Sequence, residues 1–219
     1  MALAIFDLDN TLIAGDSDHL WGEFLVENKL VDAEYFKQKN DEFYQDYVEG
    51  NLDIYKYIEF SLSPLTQHSM TKLDELHQQF MESHIQPIML PKAKALIESH
   101  RDKGDTLLVI TATNRFVTAP IVEAFGIENL LAIEVEVVDG QYTGKSFGVP
   151  SFKEGKVTRL NDWLAENTLS LEGAYFYSDS HNDIPLLAKV DHPVVVDGDD
   201  QLLKHAKTNN WKCISLRDN

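Results

Sequence analysis

Short apolar runs alternate with amphipathic stretches along most of the chain. The run at 2–6 is apolar throughout and too short for a helix, which is typical of a strand buried on both faces of a sheet. Similar runs lie at 106–111, 130–138, 174–178, 192–196 and 211–216. Helical patterns lie between them at 91–102, 115–125, 154–165, 183–189 and 201–208. This alternation predicts an α/β fold with a Rossmann-like parallel sheet core in three layers, α/β/α.

Two segments depart from this simple alternation. Asp139-Gly140, flanked by residues typical of strands, predicts a small hairpin. A crossover between parallel strands takes roughly 30 residues or a little more, whereas residues 15–88 follow the first strand with helical periodicity. We therefore expect an inserted α-helical cap domain at 15–88, and a core domain made of 1–14 and 89–219.

Aromatic residues are frequent at helical spacing in the predicted cap. We interpret them as the core of the cap rather than as a platform for a ligand. The residues in question are Tyr35, Phe36, Phe43, Tyr44 and Tyr47.

The formal charge of −17 restricts the classes of partner. Nucleic acids and anionic membranes require basic surfaces, so neither is expected as a partner. A single cysteine, Cys213, excludes an intramolecular disulfide and fits a reducing compartment. The sequence has no basic leader and no apolar run of roughly 18 residues, so we expect a cytoplasmic protein. The pattern leaves its oligomeric state open.

Two carboxylates follow the first predicted strand. Asp7 and Asp9 are two positions apart, so in an extended chain they point to the same side. At about 4 Å and an effective dielectric constant near 20, their repulsion is of order 4 kcal/mol. Solvent, a cation or a shared proton must compensate this repulsion.

Other reactive side chains stand where later strands end or helices begin. Thr111 ends the second buried run, Asp179 ends the run at 174–178, Asp183 follows it, and Lys156 opens a helix. Ligands of parallel α/β sheets bind outside the carboxyl ends of the strands. These side chains are therefore expected to meet Asp7 and Asp9 at one edge of the sheet.

The charges of this cluster indicate a bound cation. Three carboxylates, Asp7, Asp179 and Asp183, are balanced by Lys156 and one Mg²⁺ if Asp9 is a neutral acid. Oxygen ligands suit Mg²⁺, and the lack of clustered Cys or His disfavours zinc. Asp179 is expected to bind the metal directly, and Asp183 to orient one of its ligands or a metal-bound water.

The same residues predict a phosphoryl-transfer site. Asp7 is the expected nucleophile and forms an aspartyl-phosphate. Asp9 is the expected general acid and base, protonating the leaving alkoxide and then deprotonating water. Thr111 and Lys156 are expected to hold the phosphoryl oxygens.

These motifs resemble the haloacid dehalogenase superfamily of Mg²⁺-dependent phosphatases. Its first motif, DxDx(T/V), matches residues 7–11, its second ends at Thr111, its third is Lys156, and its acidic fourth matches residues 178–183. The resemblance implies that the backbone carbonyl of Asp9 coordinates the metal. The predicted metal-binding set is Asp7, Asp9, Asp179 and Asp183. Lys153 is a second candidate for the third motif.

The helical insert, together with S-D-x-x-N-D in the fourth motif, is similar to the phosphoserine-phosphatase-like branch (subfamily IB). The pattern TATNRF is typical of members described as histidinol-phosphatase-like. In phosphoserine phosphatases a Glu nine residues after the nucleophile binds the substrate ammonium, and here that position is Asp16. The cap Arg that binds the substrate carboxylate is missing, because residues 15–89 contain no Arg.

The expected substrate is a small phosphorylated metabolite, phosphoserine-like or histidinol-phosphate-like, and these departures argue against phosphoserine itself and leave an amine-bearing ester without a carboxylate, such as histidinol phosphate, open. Asp16, Asn114 and Arg115 are the expected substrate-binding residues. Three other functions remain open: a receiver-like phospho-acceptor module, a phosphomutase, and a binding protein without turnover. Asp9 favours hydrolysis over a long-lived phospho-acceptor, and only product analysis excludes a mutase.

Overall fold

The computed structural model describes residues 2–217. Seven strands form one sheet in the order β4-β3-β2-β1-β5-β6-β7. The strands are β1 (Leu3–Phe6), β2 (Thr106–Asn114), β3 (Asn129–Val138), β4 (Gln141–Phe147), β5 (Tyr175–Ser178), β6 (His192–Val196) and β7 (Lys212–Ile214). All neighbouring pairs are parallel except β3 and β4. The predicted α/β class with a Rossmann-like sheet is confirmed.

Nine α-helices flank the sheet within the described residues. They are α1 (Ser17–Glu27), α2 (Ala33–Glu49), α3 (Ile54–Leu62), α4 (Met70–Phe80), α5 (Pro91–Arg101), α6 (Arg115–Ala124), α7 (Glu154–Asn167), α8 (Ile184–Leu187) and α9 (Asp200–Asn209). Short 3-10 turns at Ser63–Gln67, Gln86–Ile88 and His181–Asp183, and a π turn at Met81–Ile85, complete the helical structure. None of the helices in 2–217 is both long and apolar enough to span a bilayer.

The predicted hairpin joins β3 and β4 at the edge of the sheet. Val138 pairs with Gln141, and the two turn residues both have positive φ, 50° for Asp139 and 75° for Gly140. Two consecutive positive φ values define the turn that matches the twist of a two-residue hairpin. The hairpin prediction is therefore confirmed.

Strand β1 is buried on both faces and separates two apolar clusters. Leu3 and Ile5 belong to one cluster, and Ala4 and Phe6 belong to the other, as the period-two alternation of a strand requires. The second cluster continues without interruption into the helical insert, for example to Phe80 of α4. The insert therefore shares its core with one face of the sheet.

The insert leaves and rejoins the sheet at neighbouring points. Ile13 and Met89 form an isolated antiparallel bridge, and Leu90 N donates to the Leu12 carbonyl oxygen. All regular elements between these points are helical. The division into a cap at 15–88 and a core at 1–14 and 89–219 stays a prediction, and the bridge lies next to both proposed boundaries.

Candidate active site

Three adjacent strands bring the predicted acids together. In the sheet β1 lies between β2 and β5. Asp7 follows β1, Thr111 lies near the end of β2, and Asp179 follows β5. Since these strands are parallel, the three side chains lie at the same edge of the sheet.

Lys156 connects two of the acids. Its Nζ lies 2.8 Å from Asp7 Oδ1 and 2.8 Å from Asp183 Oδ2, and its side chain is only 4% exposed. Ser178 Oγ also donates to Asp183 Oδ2, at 2.7 Å. Burial opposes the charged ammonium, yet the carboxylates of Asp183 and Asp7 raise the pKa of Lys156 above its usual value. Lys156 is therefore a cation at neutral pH.

The local backbone before α7 sets the position of this lysine. Lys153, at the N-cap of α7, has φ 49° and ψ −123°, an unfavourable region for a residue with a Cβ. At Gly155 an added Cβ would lie 2.0 Å from the Pro150 carbonyl oxygen. Lys153 Nζ donates instead to the Gly50 carbonyl oxygen at 2.7 Å. Of the two candidate lysines, Lys156 is thus the one that contacts the acids.

Asp7 is one of the two buried acids that contact this lysine. Burial raises the pKa of Asp7 to about 7, against the opposing effect of Lys156, and the negative charges of Asp183 and Asp9 contribute in the same direction as burial. Asp7 Oδ1 accepts the hydrogen bond from Lys156. Within residues 2–217, Asp7 Oδ2 accepts no hydrogen bond from protein.

Both carboxylate oxygens of Asp9 are held by protein donors. Asp9 Oδ1 accepts from the Ser17 backbone N–H at 2.7 Å, and Oδ2 accepts from Thr113 Oγ1 at 3.0 Å and Thr111 Oγ1 at 3.4 Å. Burial raises the pKa of Asp9 to about 6, helped by the charge of Asp16 and opposed by the hydrogen bonds from Ser17 and Thr113. Thr113 was not expected from the sequence, although residues i and i+2 of a strand share a face, so its position two residues after Thr111 indicated the same side of the sheet.

Asp179 lies beside the first motif. Thr11 Oγ1 donates to Asp179 Oδ1 at 2.9 Å. Burial raises the pKa of Asp179 well above its usual value, and the charges of Asp7 and Asp183 add to this effect. The buried acids therefore repel one another, and Lys156 alone does not neutralise them.

The donor chemistry of this cluster fits a hard cation. Among the residues that the structure describes, no three His, Cys, Asp or Glu side chains are arranged as a complete metal centre. Mg²⁺ commonly takes only one or two protein carboxylates and completes its shell with water and substrate phosphate. The carboxylates of Asp7 and Asp179 fit this pattern. Asp183 accepts from Lys156 and Ser178 through its Oδ2, and its place in the metal-binding set stays a prediction.

A small cavity of about 40 Å³ opens above Asp7, Asp9 and Thr111. Its wall further includes Asp16, Asp18, His19, Asn40, Phe43, Tyr44, Tyr47, Leu52, Ile54, Tyr57, Ala112 and Thr113. Lys156, Asp179 and Asp183 lie outside this wall. The helical insert therefore supplies most of the cavity, and no lysine or arginine among the described residues lines it.

Two further acids of the cavity stand at the start of α1. Asp16 is the N-cap of α1, and its Oδ1 accepts from the backbone N–H groups of Asp18 and His19. Burial raises the pKa of Asp16. Asp18 is 6% exposed and accepts a hydrogen bond of 2.6 Å from the Tyr57 hydroxyl. Asp16 was expected from the sequence as a substrate-binding residue, whereas Asp18 was not.

The two polar residues after Thr113 do not line the cavity. Asn114 caps α6, where its Oδ1 accepts from Val117 N, and its Nδ2 reaches Asp18 Oδ1 at 3.4 Å. The guanidinium of Arg115 makes a bidentate contact with the carboxylate of Glu134, with Nε 2.6 Å from Oε2 and Nη2 2.8 Å from Oε1. Asn114 thus donates to Asp18, which lines the cavity, and does not itself line it. The carboxylate of Glu134 holds the guanidinium of Arg115, and the contact of Arg115 with substrate stays a prediction.

The interpretation of the aromatic residues as a cap core is correct for one of five. Phe36 is buried, and Tyr35 is 58% exposed. Phe43, Tyr44 and Tyr47 line the cavity. Near the start of α2, Phe36 therefore packs in the core of the insert, and the aromatic residues nearer the end of the helix, such as Tyr47, line the cavity.

The chain matches the family model of the haloacid dehalogenase-like hydrolases over residues 4–188. The chain belongs to this family. A histidinol-phosphatase of Neisseria meningitidis serogroup C (strain 8013) is 47% identical over 98% of this chain and 99% of the relative. The predicted family and enzyme class, a phosphatase of the haloacid dehalogenase type, are confirmed.

Solved structures of this haloacid dehalogenase-like fold are also similar. A protein of unknown function from Bordetella pertussis Tohama I superposes with a TM-score of 0.93 at 41% identity, covering 99% of both chains. A substrate-bound phosphoserine phosphatase superposes with a TM-score of 0.72 at 18% identity, covering 97% of this chain and 92% of its own. The second likeness establishes a common fold.

Proposed function

We propose that this protein is a Mg²⁺-dependent phosphomonoesterase that acts through an aspartyl-phosphate on Asp7. The observation that carries the proposal is the pairing of two acids at one cavity. Asp7 has one oxygen on Lys156 and one oxygen without a protein donor, whereas both oxygens of Asp9 are held by Ser17, Thr111 and Thr113. One acid is thus available for attack and the other is positioned for proton transfer.

The two half-reactions use these acids in turn. Asp7 Oδ2 attacks phosphorus, the bond between phosphorus and the ester oxygen breaks, and Asp9 protonates the leaving alkoxide. Asp9 then takes a proton from water, which attacks phosphorus and releases phosphate from Asp7. Lys156 and Thr111 stabilise the charge on the phosphoryl oxygens.

The carboxylates of Asp7 and Asp179 and the backbone carbonyl of Asp9 are the groups proposed to hold Mg²⁺. When bound, the ion supplies positive charge that lowers the repulsion between the acids and the incoming phosphate. Lys156 favours the ionised form of Asp7 through their hydrogen bond of 2.8 Å, and Thr11 orients Asp179 through their hydrogen bond of 2.9 Å.

We propose a phosphate ester bearing an amine as the substrate, as in histidinol phosphate. The cavity wall contains Asp16 and Asp18 and no lysine or arginine among the described residues, so it suits a cation and disfavours a carboxylate. Tyr44 and Tyr57 add aromatic surface, which also favours cations. The relative named histidinol-phosphatase supports this choice.

The test is phosphate release from histidinol phosphate, phosphoserine and glycerol phosphate, with Mg²⁺ and with EDTA. We expect Mg²⁺-dependent release that is fastest for histidinol phosphate and is abolished in Asp7→Asn. Asp162→Asn, which changes an exposed acid on α7, is the matched control and should keep full activity. Stable labelling of Asp7 by a small phosphodonor without release of phosphate from any ester would refute the proposal in favour of a phospho-acceptor.

Asp16→Asn tests the proposed amine site. Asn caps a helix about as well as Asp, so the substitution removes the charge and keeps the cap. We expect KM for histidinol phosphate to rise about tenfold, the usual effect of a lost charged hydrogen bond, with KM for glycerol phosphate unchanged. An equal effect on both esters would contradict a role in amine recognition.

A further inference from the structure

The C-terminal end of α2 reaches the loops that carry the catalytic acids. Gly50, with φ 75°, ends the helix in the left-handed conformation. Helix ends leave carbonyl groups without intrahelical partners. Here two carbonyls accept from side chains of the sheet domain: Gly50 O from Lys153 Nζ at 2.7 Å, and Tyr47 O, which also accepts from Gly50 N at 3.0 Å, from Asn182 Nδ2 at 3.3 Å. We call this set of contacts the α2 clasp.

The approach at the clasp is close enough to require the glycine. An added Cβ on Gly50 would lie 2.9 Å from His181 Nε2. The Tyr47 ring also contacts the Phe152 ring, with centroids 6.3 Å apart. Lys153, whose Nζ completes the clasp, has the strained backbone described above. Such strain persists only where surrounding contacts maintain it, and it concentrates at functional sites.

The side chain of Tyr47 extends from the clasp into the catalytic centre. It lines the same cavity as Asp7 and Asp9. Burial and the charges of Asp179 and Asp7 raise the pKa of Tyr47 well above its usual value. A tyrosine hydroxyl is protonated at neutral pH, so it is a hydrogen-bond donor among acceptors. Tyr47 thus places a donor from the insert at the acids of the sheet.

We propose that Tyr47 is a substrate-contacting residue whose hydroxyl donates a hydrogen bond to the phosphoryl group bound at Asp7, and that Lys153 is a positioning residue that holds Tyr47 there. The inference rests on the proposed function, since it assigns the phosphate position to Asp7. A phosphoryl group presents three oxygens, and Lys156 and Thr111 are the other protein side chains placed to donate to them. Lys153, the second candidate for the catalytic lysine, thereby receives a separate role.

The first test measures binding of inorganic phosphate in the presence of Mg²⁺ by titration calorimetry. Tyr47→Phe removes the hydroxyl and keeps the ring. We expect its Kd to rise about tenfold, the effect of one lost hydrogen bond to a charged group, which corresponds to about 1.4 kcal/mol. Tyr35→Phe, on the same helix with a side chain that is 58% exposed and outside the cavity, is the matched control and should bind within about twofold of the wild type. Thermal unfolding establishes that both variants are folded.

The second test asks whether Lys153 acts through Tyr47. We expect Lys153→Met to weaken phosphate binding in the wild-type background and to have almost no further effect in Tyr47→Phe, since coupled residues are not additive. Lys153→Arg keeps a donor and should restore binding. Equal weakening by Lys153→Met in both backgrounds would overturn the positioning role.

The outcomes separate this inference from the proposed function. Phosphate binding by Tyr47→Phe within twofold of the wild type, or an equal loss in Tyr35→Phe, would overturn the role of Tyr47. A wild-type protein that binds phosphate and hydrolyses no ester would overturn the proposed function alone. In that case the binding data on Tyr47→Phe still decide whether the hydroxyl contacts phosphate.

Discussion

Asp18 is a buried acid whose ionisation should destabilise the fold. Its side chain accepts from the Tyr57 hydroxyl at 2.6 Å and from Asn114 Nδ2 at 3.4 Å, with no cation in contact. Burial raises the pKa of Asp18 from 3.8 to about 7, the charges of Asp16 and Asp9 add to the rise, and the hydrogen bond from Tyr57 opposes it. The folded protein therefore binds this proton more tightly than the unfolded chain.

The sign of the pH dependence follows from this difference. The stability contributed by protonated Asp18 is complete below the unfolded pKa and is lost as pH rises through the folded value. At 1.36 kcal/mol per pKa unit, the loss reaches about 4 kcal/mol at pH 8 and only about 1.5 kcal/mol at pH 5. Most of the change thus occurs between pH 5 and 8.

Asp18→Asn removes the charge and keeps an acceptor for Tyr57. The free energy of unfolding, measured with urea at pH 5 and pH 8, should favour the variant over the wild type by about 2.5 kcal/mol more at pH 8 than at pH 5. Glu23→Gln, an exposed acid on the same helix, is the control and should change stability by less than about 0.5 kcal/mol at either pH. A difference between Asp18→Asn and the wild type that is equal at both pH values would refute the reasoning.

Two further predictions concern the segment that begins α7. Lys156→Met should lower the free energy of unfolding by about 3–5 kcal/mol at pH 8, because it leaves the carboxylates of Asp7 and Asp183 buried without a cation. Urea unfolding measures this, and an unchanged midpoint with an unchanged slope would contradict it. Gly155→Ala should also destabilise, by about 2 kcal/mol or more, because its Cβ would meet a backbone oxygen, whereas alanine elsewhere in a helix is favoured over glycine. A Gly155→Ala variant with the thermal midpoint of the wild type would show that the Pro150 carbonyl moves freely.

The chemistry-bearing residues of the sheet were predictable because local rules place them. Buried strands were readable as short apolar runs, and parallel strands share a carboxyl edge, so Asp7, Thr111 and Asp179 were expected together. The role of Lys156 could not be separated from that of Lys153 by pattern, since both stand at the start of one helix. The directions of the two lysine side chains depend on the strained backbone at Lys153 and on the close contact between Gly155 and Pro150.

Residues whose position depends on a distant partner were predicted poorly. Arg115 follows a motif residue in the chain, yet it pairs with Glu134 of β3, nineteen positions away. Thr113 and Asp18 join the site through side-chain contacts with Asp9 and Tyr57. Tyr47 has the helical spacing of a core residue, and only the packing of α2 against the fourth-motif loop brings it to the cavity.

The sequence by itself determined the class of fold, the family, and the order of the acids along the strands. The fold class and the order of the acids follow from periodicity and from the burial of short apolar runs, and the family follows from the resemblance of the four motifs. Tertiary structure decided which lysine contacts Asp7, which carboxylate pairs with Arg115, and which side chains of the insert line the cavity. The reason is physical: those outcomes depend on contacts between residues far apart in the chain, whose energies no local pattern encodes.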